Sequence, residues 1–221
     1  MISELILTRL LGCSPSPGAS RITPFRPSVM AKDTTVIVTH RLDLVPGTPP
    51  LLHASLDGSG LLADALGAVV PATWPHEFLD EAALRFVLRR LEEHPEDEGW
   101  WINFVVLRDH SGRTLVGSAG YKGPPVNGMV EVGYGIVADR RRQGYATEAV
   151  RGLLRHAFAR SDVNRVIAET YPSLTGSIGV LQRCGFRGIP GGSEPEVIRF
   201  EITRSEHTVI STAATEMGLP L

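Results

Sequence analysis

The stretch from Val130 to Phe158, VEVGYGIVADRRRQGYATEAVRGLLRHAF, limits the fold more than any other part of the chain, because it passes from strand through basic turn into helix. Val130, Val132, Tyr134 and Ile136 alternate with Glu131, Gly133 and Gly135, a period of two that puts one set on each face of a strand. The glycines share a face and leave the backbone open to something flat and polar. Beyond the basic turn, Ala146, Ala149, Val150, Leu153, Leu154, Ala157 and Phe158 recur at threes and fours, which assigns Glu148, Arg151, Arg155 and Arg160 to solvent. A helix start carries amides without intrahelical partners and a partial positive charge, so Arg141, Arg142, Gln143, Gly144, Tyr145, Ala146 and Thr147 form a candidate diphosphate cradle. Small residues at 144 and 146 let phosphate oxygens reach those amides.

Arg141-x-x-Gly144-x-Ala146, followed by Thr147-Glu148-Ala149, resembles the acetyl-CoA-binding motif of the GNAT superfamily of N-acetyltransferases. The longer string GYATEAV is similar to the branch that includes the ribosomal-protein N-terminal (alanine) acetyltransferases. A second block agrees: Ala168-Glu169-Thr170, then Ser177, then LQRCGF from Leu181 to Phe186 resembles that branch's second half. The resemblance covers residues from Asp33 to about Arg204. It implies an α/β fold with a mixed, mostly antiparallel sheet and helices on both faces. It also implies acetyl-CoA as co-substrate, no metal, and direct transfer of acetyl to a primary amine in a ternary complex.

The remaining chain is consistent with one such domain at 31–204. A length of 221 residues with 43% hydrophobic content supplies one substantial core. A net charge of -2 gives no global attraction to nucleic acid or membrane, which makes the run Arg140 to Arg142 a local feature. A bland reading of that run is a solvated turn. Cys13 and Cys184 lie far apart in unlike contexts and suggest neither a disulfide framework nor a metal site, which fits a reducing, cytoplasmic setting. Residues 1–30 dissolve into Ser, Pro, Gly and Arg after an apolar run too short to span a bilayer. They read as a disordered tail, or as the product of a start misplaced ahead of Met30. Residues 205–221 read as a frayed C-terminal tail.

Between these ends, Thr34 to Leu44 suits a first strand closed by Pro46, Pro49 and Pro50. A short helix over 61–69 follows, then a stiff aromatic loop, Pro71 to Phe78. Trp74, His76 and Phe78 in that loop are candidate acceptor contacts; a plug over the core is the competing reading for the Trp. Asp80 caps a helix with Leu84, Val87, Leu88 and Leu91 as its apolar stripe. Trp100 to Leu107, Thr114 to Tyr121 and the glycine strand make a meander. The strand Arg165 to Tyr171 must run parallel to the glycine strand, because a helix crosses over between them. That arrangement puts a ligand at their carboxyl ends. A short helix from Ser177 to Arg183 and a last strand, Val197 to Ile202, complete the order. That last strand, if exposed, could pair across a homodimer.

Acetyl transfer requires that the attacking amine lose a proton. Glu131 shares the glycine face and is the candidate base, although a strand glutamate can equally be paired or solvated. A backbone N–H near Ile136, where the strand bends from its neighbour, would stabilise the oxyanion. Two departures from the family pattern stand out: Leu181 occupies the position where many relatives carry an acidic Tyr, and Leu174 the position of a common Asn. Ser177 is a candidate site hydroxyl or a helix cap, and Tyr171 a candidate substitute acid. The two departures keep open a second reading, a non-catalytic acyl-CoA-binding sensor or interaction module. A dinucleotide site is a distant third, because Gly133-x-Gly135-x-x-Ala138 lies within the strand and is separated from the helix. The implied partners are acetyl-CoA and an amine acceptor, either a small molecule or a protein N-terminus.

Overall fold

The alternating segments of the chain assemble into one sheet whose centre opens, and that opening organises everything else. The computed structural model describes residues 35–216, so the expectation for residues 1–30 lies outside the described residues. Eight strands among the described residues are β1 (Ile37–Val38), β2 (Leu42–Pro46), β3 (Ile102–Asp109), β4 (Gly112–Tyr121), β5 (Met129–Ile136), β6 (Arg165–Thr170), β7 (Arg187–Ile189) and β8 (Ile198–Thr203). Their order in the sheet is β1-β2-β3-β4-β5-β6-β8-β7. Neighbours are antiparallel except β5 and β6. The helices are α1 (Pro49–Asp57), α2 (Ser59–Leu66), α3 (Glu81–Glu93), α4 (Tyr145–Ala159), α5 (Thr175–Arg183) and α6 (Arg204–Glu216).

Alternation along β3 separates two cores. Val105 and Leu107 face α4 and α5, whose Ala149, Val150, Leu153, Leu154 and Leu181 fill one side. Phe104 and Val106 face the other side with Leu52, Leu62, Leu84, Val87, Leu88 and Leu91 from α1, α2 and α3. Asp80 caps α3 as expected, its Oδ1 accepting the Ala83 N–H at 2.8 Å.

The parallel pairing required by the crossover helix is present but short. Met129, Val130 and Glu131 pair with Arg165, Val166 and Ile167. Past that point β5 continues against β4 as far as Ile136, while β6 continues against β8 as far as Thr170. A wedge therefore opens between two strands that each keep their other neighbour.

Four features differ from the sequence expectations. The first strand is a hairpin, with the Thr39 N–H donating to the Leu42 carbonyl at 2.9 Å. Pro49 and Pro50 do not merely close it; they begin α1, where a missing N–H costs nothing. Strand β8 lies between β6 and β7, so the segment expected to pair across a homodimer is an interior strand whose edges are both occupied. Within the described residues, the expected C-terminal tail is instead the helix α6, as far as Glu216. A reciprocal capping box starts it: the Thr203 N–H donates to Glu206 Oε2 at 2.7 Å, and the Glu206 N–H to Thr203 Oγ1 at 3.3 Å. Arg204 donates to the carbonyls of Phe158, Arg160 and Val163, and His207 packs on Phe158 with ring centroids 5.0 Å apart, docking α6 beside the end of α4.

Candidate functional site

The wedge exposes backbone donors. The Glu131 carbonyl accepts the Lys122 N–H at 2.9 Å and the Val137 N–H donates to the Val116 carbonyl at 3.0 Å, so the odd-numbered residues of β5 turn their peptide groups toward β4. Alternation then aims the amides of Tyr134 and Ile136, beyond the last residue paired with β6, into the wedge. Ile136 keeps its carbonyl occupied by Arg141 Nε at 2.9 Å.

At the wedge mouth stands the start of α4. Gly144 is its N-cap with φ 85°, a left-handed conformation that favours glycine, and no side chain caps the helix. Its first intrahelical bond runs from the Glu148 N–H to the Gly144 carbonyl at 3.0 Å, leaving the amides of Tyr145, Ala146 and Thr147 without intrahelical acceptors. Arg142 is exposed with φ 61°, and Gln143 is exposed beside it. Tyr145 is buried, its hydroxyl donating to Gln143 Oε1 at 3.1 Å. Thr147 Oγ1 lies 3.5 Å from Arg183 Nε, and the Thr147 carbonyl lies 3.6 Å from Cys184 Sγ.

One cradle side chain and one of its neighbours are differently engaged from what the sequence suggests. Arg141 does not project freely toward an anion: besides the Ile136 carbonyl, it contacts Glu77 Oε1 at 2.9 Å through Nη2. With the Thr73 to Asp139 hydrogen bond of 2.8 Å, this ties the aromatic loop to the cradle. Glu148, assigned to solvent by periodicity, is a clamp on the β1–β2 hairpin. It accepts from Thr39 Oγ1 at 2.7 Å, the Arg41 N–H at 2.6 Å and Arg41 Nε at 2.7 Å. Burial pushes its carboxyl pKa upward, but these donors outweigh burial and hold it below the ordinary value. Arg41 also reaches the Gln143 carbonyl at 3.2 Å and lies over the Tyr145 ring at 4.7 Å, adding a positive charge that no local motif announced.

On the glycine face, the flat polar group at Gly135 is the chain's own His76. A β-carbon at 135 would stand 2.3 Å from its Cε1. His76 Nε2 lies 2.7 Å from Ser118 Oγ, while Nδ1 accepts the Phe78 N–H at 3.3 Å, which sets Nε2 as the protonated nitrogen. Burial, aided by the Arg141 charge, lowers the imidazole pKa to about 4, so it is neutral at physiological pH. Trp74 packs on Phe104 at 5.7 Å, a core contact. At Gly133, in contrast, a β-carbon would meet nothing within 4 Å, and the face is open. Glu131 lies next along it, ion-paired with Lys122.

The wall opposite β5 is α5. Ser177 lies in its first turn, with both Oγ and the carbonyl 3.1 Å from the Tyr134 hydroxyl. Leu181, one turn on, is fully buried. Tyr171 directly follows β6 and offers its carbonyl to the Leu174 N–H at 3.0 Å. Thus the structure brings Ile136, Gly144 to Thr147 and Ser177 to the same end of the sheet, while Glu131 lies at the closed end of the wedge. Tyr134 is the site residue that periodicity alone hides, because it reads as one more core-facing strand residue.

Comparison with known proteins gives a consistent picture. The family model described as the acetyltransferase (GNAT) domain matches residues 52–187. The chain is 30% identical over 152 residues to the uncharacterised N-acetyltransferase YjdG of Bacillus subtilis, covering 68% of this chain and 89% of that one. Among solved structures, a GNAT-family acetyltransferase from Bacillus anthracis superposes with a TM-score of 0.52 at 21% identity, over 77% of this chain and 99% of that one. The ribosomal-protein alpha-N-acetyltransferase RimL, solved with coenzyme A, superposes with a TM-score of 0.51 at 16% identity, over 76% of this chain and 98% of that one. At these identities the structural likenesses speak for the fold.

Proposed function

This chain belongs to the GNAT acetyltransferase family, and from that premise we propose that it transfers acetyl from acetyl-CoA to a primary amine, directly and within a ternary complex. The observation that carries the reading is the meeting of an uncapped helix start, at Gly144 to Thr147, with the wedge between β5 and β6. The amides of residues 145–147 and the positive end of α4 hold the diphosphate, with Arg142, Gln143 and Arg41 around it. Arg141 serves this site by fixing the end of β5 and the aromatic loop.

In the wedge, the Tyr134 and Ile136 amides donate hydrogen bonds to the acyl-donor arm, and one of them stabilises the tetrahedral oxyanion. Glu131 takes the amine proton through water held over the open face at Gly133. The ion pair with Lys122 holds that carboxylate in place at the closed end of the wedge. Ser177 and Tyr171 supply hydroxyls on the far wall. The acceptor enters on the His76 side, where Glu131 pairs with Lys122 and Glu77 with Arg141. Compensated charges of that kind favour a small or weakly charged amine, or a protein N-terminus, over a polycation. A cytoplasmic setting, with its supply of acetyl-CoA, suits this chemistry.

A non-catalytic acyl-CoA sensor is the second reading, favoured by the buried Leu181 on α5. The two part in one experiment: thiol release from acetyl-CoA across a panel of amines and peptide N-termini, beside a calorimetric titration with CoA. Acceptor-dependent release supports transfer, and binding without release supports the sensor. Absence of CoA binding overturns both.

A further inference from the structure

The chain carries twenty arginines but only two lysines, Lys32 and Lys122. That choice has chemical content in a protein that handles acetyl-CoA. A guanidinium keeps its proton throughout the physiological range, whereas a lysine amine becomes a nucleophile once it loses one. Lys122 is the one lysine among the described residues, and it stands beside the candidate base. It directly follows β4, its N–H donates to the Glu131 carbonyl at 2.9 Å, and its ammonium is ion-paired with the Glu131 carboxylate. The two side chains stay partly open to solvent, at 27% and 23% exposure. Beyond the pair the face is bare: Gly133, two residues on from Glu131, lies opposite Gly120 of β4, and a β-carbon at 133 would meet nothing within 4 Å. Two strand residues advance about 6.6 Å, a span within reach of the lysine's flexible four-carbon stem. A swing of that stem takes Nζ from Glu131 onto the open face, next to the Tyr134 amide that the wedge presents. An ion pair serving the fold alone would be met by arginine, which fills every other Lys or Arg position among the described residues.

Resting on the acetyl-transfer reading, we propose that Lys122 is a self-acetylation site: with no external acceptor bound, the chain moves acetyl from its own acetyl-CoA to Lys122 Nζ. Glu131 takes one proton from the ammonium and passes it to water. The freed nitrogen lone pair bonds to the acetyl carbonyl carbon, and the C–S bond breaks with its electron pair going to sulfur. The second proton, shed by nitrogen as the amide forms, reaches the thiolate through water. The products are Nε-acetylated Lys122, the free thiol of CoA and one proton in solvent, and no other reactant is consumed.

The test does not depend on knowing the acceptor. The full chain is incubated with acetyl-CoA alone, and acetylation is located by peptide mass spectrometry. Lys122 should be acetylated about tenfold or more faster than Lys32 of the same chain, with a first-order rate that does not change with protein concentration, as for transfer within one molecule. Glu131→Gln should slow it by about tenfold or more, and Lys122→Arg, which keeps the charge, should leave only the Lys32 background. Equal rates at the two lysines, or a Lys122 rate that rises with protein concentration, would overturn the assignment. Thiol release driven by added amines, with Lys122 unmodified in their absence, would overturn this assignment alone and leave the acetyl-transfer reading standing. CoA binding without transfer to any amine, Lys122 included, overturns both, as does failure of the wild-type chain to bind CoA.

Discussion

The imidazole of His76 occupies the space that a side chain at Gly135 would need, with its Cε1 2.3 Å from where a β-carbon would stand. A strand glycine that suggests an opening for a ligand is here filled by a residue of the loop 59 positions earlier (135 - 76) in the same chain. Because the neighbouring Gly133 stays uncovered, this face of the strand is half floor and half opening.

Gly135→Ala should destabilise the fold by about 1–3 kcal/mol, the range for overpacking a filled site. His76→Ala should itself be destabilising, since it leaves Ser118 without its partner and opens a void. The double variant should lose less than the sum of the two. Denaturant unfolding of all four proteins measures the coupling, and strict additivity would show that the two residues do not compete for that space.

The same imidazole sets a pH dependence. Its pKa falls from its ordinary 6.5 to about 4 in the folded protein, so the unfolded chain binds more protons between those values. Stability should therefore be fully present above about pH 6.5 and decline as pH falls toward 4, by about 3 kcal/mol from this group. Unfolding free energies for the wild type and His76→Gln across that range provide the check. Equal slopes in both would assign the titration to other groups.

Gly144→Glu should weaken CoA binding by tenfold or more, to order of magnitude. The substitution puts a side chain at φ 85° and a carboxylate at the helix start, where phosphate oxygens would lie. Calorimetry measures the affinity, and circular dichroism the retention of fold. A folded variant with wild-type affinity would place the diphosphate elsewhere.

Glu131→Gln should lower kcat by about 10²-fold or more while CoA affinity holds, as expected for a group that acts on the acceptor proton. Unchanged kcat would assign Glu131 to the ion pair with Lys122 and nothing more.

Glu206→Ala should remove one side of the capping box that starts α6 and cost about 1 kcal/mol. Hydrogen exchange should become faster in 204–216 and stay slow in β5. Uniform acceleration across the sheet would mean that α6 is part of the global folding unit rather than an appended one.

What was legible in the sequence was whatever neighbouring residues decide among themselves. Period two over Val130 to Ile136, the glycine at 144 and the threes and fours beyond it specify strand, turn and helix locally, and the crossover helix forces β5 and β6 parallel. The start of α6 was equally local, in Thr203-x-x-Glu206, a pattern that a polar composition masks. Tertiary structure alone decided the partners of the polar groups that meet across distant parts of the chain. Glu148 reads as solvent-facing from its helix, yet its donors lie on a hairpin 107 to 109 residues away. Arg141 reads as an anion ligand from its motif, yet Glu77 and the Ile136 carbonyl claim its guanidinium. Tyr134 reads as one more inward strand residue, and only the splaying of β5 from β6 brings its hydroxyl to Ser177. The reason is physical: backbone period and capping are fixed within a turn or two of chain, whereas a side-chain hydrogen bond holds only within about 3 Å of a partner that sheet register brings near.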